Sequence, residues 1–256
     1  MMLRRALHAE ILKLKRTIAL KMVAFAPLAV VCLTVFMAAS APFSTLHQAS
    51  TRDDWRALAR VNFQFWVMLM MPLYITLQTA LIAGLDHSEN QWKAILARPI
   101  PRWTVYVAKL LTVGALTVAA SIILLGGVLL AGIVLRTLTS EVRFGFPVPF
   151  ATILLQIAQM TGLAFLSLTI QHWVSLRWRA FSVATGFGIV ATVTILAMLL
   201  AAGQYRSWPE YYPWSLPMLV LARQPHNTAV VLWISAILGT IVTLAGCVDF
   251  CRREVT

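Results

Sequence analysis

Six long apolar runs dominate the chain, at approximately 22–39, 61–85, 107–135, 150–171, 181–203 and 228–248. A bilayer core about 30 Å thick takes roughly 20 helical residues to cross, and every run is near or above that length. Hydrocarbon offers backbone groups no water, so each run is expected to be a helix. The third run is longer than one crossing requires and must tilt or project from the membrane. Pro72 is expected to kink the second span. Gly127 with Ala131, and Ala184 with Gly188, are small residues four apart, which predicts close helix contacts, including a dimer interface.

Three segments outside the runs carry their own pattern. In 1–21, Leu3, Leu7, Ile11, Leu14 and Ile18 recur every three or four residues, the mark of one helical face. Arg4, Arg5, Lys13, Lys15 and Arg16 fall mostly elsewhere. This predicts a basic amphipathic helix lying on the inner membrane surface, its cations among anionic lipids. After the second run, Ser88 and Gln91 fit a capping box. A helix begun there ends near Arg98, because Pro99 disfavours helix before it. Pro101 suits the first turn of the next helix. The reading is a short, stiff cytosolic helix at about 88–98 between two spans. Trp92, Ile95 and Leu96 are free to pack on the membrane ends or a partner, and Glu89 and Lys93 sit one turn apart. The stretch at about 204–227 holds four prolines, an aromatic cluster and an apolar piece too short to cross. It reads as a re-entrant segment in the outer interface.

Composition agrees. Of 256 residues 60% are hydrophobic and 12% charged, against about 25% charged in a soluble domain. Charges are placed between the runs or at their ends, none inside a span. A net charge of +12 then belongs to loops beside lipid, and nucleic acid is not expected as a partner. With the amino terminus in the cytosol, fourteen Lys and Arg fall inside. Seven fall outside: Arg52, Arg56, Arg60, Arg136, Arg143, Arg206 and Arg223. Both termini are therefore expected in the cytosol. The first run is too long, and starts too late, for a signal peptide.

Cys32, Cys247 and Cys251 form no disulfide framework and no zinc spacing. Ser121 and Ser167 have no evident base nearby, so no catalytic residue, metal or cofactor site is expected. His172 is placed at a span end. Without charges inside the spans, an ion-coupled transporter is the weaker alternative, beside a non-transporting structural subunit. The chain has no G-x-x-x-x-G-K-[ST] loop, so energy for transport must come from another chain. Gln78, Gln156 and Gln159 are candidates for a pathway or for helix contacts.

With these features the chain resembles the permease subunit of ABC-2 type exporters, closest to lantibiotic and bacitracin immunity permeases. The resemblance rests on the leader 9–16, on Glu89, Asn90, Gln91, Trp92, Lys93, Leu96, Pro99, Arg102, Tyr106 and Lys109, and on the block 211–217. Asn90-Gln91 stands where many relatives have Gly-Thr, which favours the immunity branch. The resemblance implies an all-α, type V exporter-like fold with a connecting helix at 1–21, a six-helix domain at 22–248 and a cytosolic tail at 249–256. It implies a coupling helix in which Ser88, Glu89, Gln91, Trp92, Lys93, Leu96, Pro99 and Arg102 meet an ABC ATPase. It further implies re-entrant residues Tyr211, Tyr212, Pro213, Trp214 and Pro217. Two ATPase copies holding ATP and magnesium, and a second permease, identical or homologous, would complete the complex in a bacterial inner membrane.

Overall fold

The computed structural model describes residues 2–15, 17–40, 54–88, 101–138, 148–178, 180–201, 212–222 and 227–252. Among them every regular element is a helix: α1 Met2–Leu14, α2 Ile18–Ser40, α3 Asp54–Phe65, α4 Met71–Ser88, α5 Arg102–Leu138, α6 Phe150–Leu163, α7 Phe165–Arg177, α8 Phe181–Ala201 and α9 Thr228–Arg252. A π-helical turn, Trp66–Met70, joins α3 to α4, and a 3-10 helix covers Leu216–Leu221. Six stretches are long and apolar enough to cross a membrane: Ile18–Ala38, Trp55–Leu85, Arg102–Thr137, Phe150–Arg177, Phe181–Met198 and Thr228–Arg252. The expected all-α, six-span architecture is the one observed.

The bounds shift where a helix is amphipathic. Span two begins at Trp55, six residues before the apolar run. Helix α3 buries Trp55, Leu58, Asn62 and Phe63 and exposes Arg56, Arg60 and Gln64, so its polar face hides it from hydropathy. Arg56 and Arg60, expected in a loop, stand on that helix. Span four continues to Arg177 and takes His172 inside.

The distortion expected at Pro72 takes the form of the π turn. Pro72 has no N–H and its ring crowds the carbonyl four residues back. The chain inserts one extra residue there, and the Met71 N–H donates to the Trp66 carbonyl, five residues away.

Span two is the most buried of the six and span six the least. One apolar core runs through spans one, two and three and the first half of span four. Outward, Phe25, Phe36, Ile122, Leu130, Val190 and Trp233 are exposed, as a lipid-facing surface requires. The small-residue pairs are used within the chain. A Cβ on Gly127 would meet Val31, and one on Gly188 would run into Thr76. Ala131 and Ala184 are buried, and the Ala184 carbonyl accepts from Gln171 Nε2 at 2.8 Å. The close helix contacts expected of these pairs are therefore made inside the chain.

Span six docks on a break in span four. The helix interrupts between α6 and α7, leaving backbone groups to satisfy. Ser235 Oγ donates to the Leu163 carbonyl at 3.1 Å and accepts from the Leu166 N–H at 3.4 Å. Gly239, one turn on, lets Phe165 approach. Such interhelical bonds are worth about 0.6 kcal/mol on average and up to about 1.7. Ser235→Ala should therefore lower stability by about 1 kcal/mol, read as an earlier thermal unfolding midpoint in detergent.

Candidate coupling interface

At the end of the bundle that carries α1, three helices meet around one buried charge pair. Glu10 of α1 accepts from Lys109 Nζ of α5 at 2.9 Å and from Lys13 Nζ at 3.1 Å. Lys109 is 0% exposed and also donates to the Ile82 carbonyl of α4 at 3.4 Å. One acid thus ties the leader to both helices that flank residues 89–100. One turn back along α4, Gln78 Nε2 donates to the Ala19 carbonyl of α2 at 2.7 Å. Desolvating each ion costs several kcal/mol, which close pairing and the added hydrogen bonds offset.

A second cluster joins spans three, four and six at the same end. The Tyr106 ring meets His172 edge-on at 4.8 Å and Phe250 at 5.8 Å. His172 Nε2 lies 3.3 Å from the Tyr106 carbonyl. A carbonyl only accepts, so a hydrogen bond here requires the proton on Nε2. Trp173 Nε1 donates to Asp249 Oδ2 at 3.1 Å, with Arg177 Nε 3.9 Å from the same oxygen. Arg102 donates to the Cys251 carbonyl at 3.2 Å, setting a cation on the negative end of α9. A Cβ on Gly246 would run into Tyr106 and Trp173, so only glycine allows span six this close.

Two sequence expectations are corrected here. Charge does enter a span: Lys109 lies seven residues into α5 and is wholly buried. The leader's inward face is also not the simple apolar stripe. Leu3 and Leu7 are partly buried and Leu14 is buried with Glu10, whereas Ile11 and Ile18 are 54% and 62% exposed. An acid in the inward row of one helix and a lysine in the apolar run of another were the signal. Each is an anomaly alone and an explanation of the other.

Of the proposed coupling residues, Arg102 opens α5 and holds α9 as described. Ser88 is the last residue of α4, where a separate capped helix was expected to start. Glu89, Gln91, Trp92, Lys93, Leu96 and Pro99 lie outside the described residues. Gln78 binds helix to helix, and Gln156 and Gln159 are half-buried on α6.

At the opposite end, residues 212–222 fold back on the bundle. Tyr212 Oη donates to the Ala191 carbonyl at 3.0 Å, and burial pushes its phenol above the ordinary value despite a hydrogen bond with Thr194. Trp214 is buried edge-on against Phe187, with ring centroids 5.7 Å apart. Pro217 is buried beside Leu216, Pro213 is half-buried, and Arg60 Nη2 donates to the Leu221 carbonyl at 3.0 Å. Tyr211 lies outside the described residues.

The sequence matches the family model described as ABC-2 family transporter protein over residues 6–199, well over half of the 256. The chain belongs to the ABC-2 transporter family. No curated protein matches it. As an ABC-2 permease it is a multi-pass membrane protein of a family that works with an ABC ATPase. The matched residues include Glu10, Ile82 and Lys109, so the charge pair sits inside the family region. Span six and the 212–222 segment lie beyond it.

Proposed function

We propose that this ABC-2 permease is the membrane half of an ATP-driven exporter of the self-immunity kind, moving an amphiphilic compound or antimicrobial peptide out of the cell or its membrane. Both termini face the cytosol of a bacterial inner-membrane system. A separate ATPase, two copies per complex, binds ATP and magnesium. A second permease, identical or homologous, completes the pathway.

The observation that supports this reading is the charge pair at the root of residues 89–100. A force applied to that segment reaches α4 and α5 directly, and Glu10 passes it to α1. In the proposal Glu89, Trp92 and Lys93 meet the ATPase, Arg102 hands movement to span six, and Pro99 keeps the segment stiff. Residues 204–227 form the outer re-entrant segment, and 249–256 a cytosolic tail. The charge in span three removes one argument against ion coupling, and family membership takes its place.

Purification in mild detergent tests the proposal. A soluble ATPase should accompany the permease in stoichiometric amount. Glu89→Ala with Trp92→Ala should cut its recovery at least tenfold, at the order of ~1.4 kcal/mol per factor of ten, while the permease keeps its yield. Active transport by this chain alone, or thiol labelling that puts residues 89–100 on the outer side, would refute it.

A further inference from the structure

Helix α3 presents a narrow polar row that the bundle leaves open. Arg56, Arg60 and Gln64 are exposed and follow each other four residues apart. At about 100° per residue they cover roughly 80° of the helix circumference. Ala57 stands just beyond one edge of that arc and Phe63 just beyond the other, and they are only 6% and 0% exposed. A lipid-facing helix looks different. Span six leaves roughly 180° of its surface exposed, from Ala229 and Trp233 round to Leu238 and Ala245. The row on α3 therefore looks into a crevice with walls on both sides, not onto an open face.

The crevice has a charged mouth and an apolar interior. Span two is 31 residues, about 46 Å of helix, against a hydrocarbon core of about 30 Å. The row fills about 14 Å at the end away from Lys109, beside residues 212–222. Arg60 Nη2 donates to the Leu221 carbonyl at 3.0 Å. That uses one of five guanidinium N–H groups and holds the side chain at the opening. Asp54, the one acid of α3, is its first residue. Deeper in, Phe65 and Met68 are half-buried and Leu69 is 36% exposed. The surface thus turns from cationic to amide to apolar within about 20 Å.

We infer that Arg56, Arg60 and Gln64 bind the anionic head of the exported amphiphile, a phosphate or carboxylate, with its apolar part running past Phe65 and Leu69. Guanidinium groups match carboxylate and phosphate oxygens with paired N–H donors, and the Gln64 amide adds its own. Low-dielectric walls on either side strengthen that attraction over what open water allows. The inference rests on the amphiphilic substrate of the proposed function and adds the sign of its charge.

Native mass spectrometry of the purified full-length permease in an uncharged detergent tests it. The probes are oleoyl lysophosphatidic acid and oleoyl lysophosphatidylcholine, which share a chain and differ in net charge. The wild type should retain the acid about tenfold better or more. Arg56→Gln with Arg60→Gln should weaken that retention on the order of a hundredfold. Arg56→Gln alone, which leaves the Leu221 bond in place, should weaken it about tenfold and decides the matter if the double variant fails to accumulate. Arg4→Gln with Arg5→Gln in the leader should leave it unaltered. Inorganic phosphate, lacking the apolar part, should compete poorly. Equal retention of the two lipids, full retention by Arg56→Gln, loss in the leader variant, or phosphate competing as well as the amphiphile overturns the inference. ATPase recovery separates the two readings. Selective retention without a recovered ATPase sinks the exporter reading and leaves the site standing, whereas a recovered ATPase with unselective retention sinks the site alone.

Discussion

Lys109→Met should destabilise the permease by about 3–5 kcal/mol, the range for breaking a buried ion pair from one side. The substitution keeps the volume of the side-chain stem and removes the charge. Glu10 then stays buried between helices with Lys13, itself 27% exposed, still 3.1 Å away. The Ile82 carbonyl loses a donor as well. Glu10→Leu alone should cost a similar amount, because it leaves a fully buried ammonium without its carboxylate. The double variant Glu10→Leu with Lys109→Met should recover most of the loss, since a packed apolar pair of similar volume is often neutral or better. Unfolding midpoints for the four proteins form a double-mutant cycle. Additive losses would show that the two side chains do not act as a pair. The proposed function adds a second readout: the double variant should fold yet transport poorly, because the leader is no longer tied to α4 and α5.

Gly188→Leu should cost about 1–3 kcal/mol, the usual range for overfilling a packed site. Span five crosses span two there, and even a methyl group at 188 runs into the Thr76 side chain. Thr76 is fixed in turn by its hydroxyl, which donates to the Pro72 carbonyl at 2.9 Å. Relief by rotation would break that bond beside the π turn. Thr76→Gly should restore part of the stability of Gly188→Leu. A leucine at Gly186, whose Cβ would meet nothing within 4 Å, is the control and should leave the midpoint nearly unchanged. Leucine is the better helix former, so equal losses at 186 and 188 would show that the contact with Thr76 is not their cause.

The site was legible in parts. Tyr106, Arg102 and Lys109 stood out by resemblance, and the structure gives Arg102 and Lys109 partners on other helices. Glu10 was read as part of a leader and not as an anchor, because an acid inside an inward-facing row breaks the hydropathy rule used to find the row. His172 was placed at a span end because polar residues around it, Gln171 and Ser175, dilute hydropathy while being buried. Ser235 gave no signal at all. A serine in an apolar run usually bonds its own helix, and only the break in span four makes it a bridge.

The number of crossings, the all-α class, the skewed placement of Lys and Arg and the disturbance at Pro72 were determined by the sequence. Insertion into a bilayer is close to a sum over successive residues, so a one-dimensional pattern carries it. The partner of each buried polar group was decided by the tertiary structure: Glu10 for Lys109, Asp249 for Trp173, the split backbone of span four for Ser235. Lipid tails and neighbouring helices are equally apolar, so hydropathy marks a span without marking its inward face. That choice falls to packing and to the need of each buried donor and acceptor for a mate.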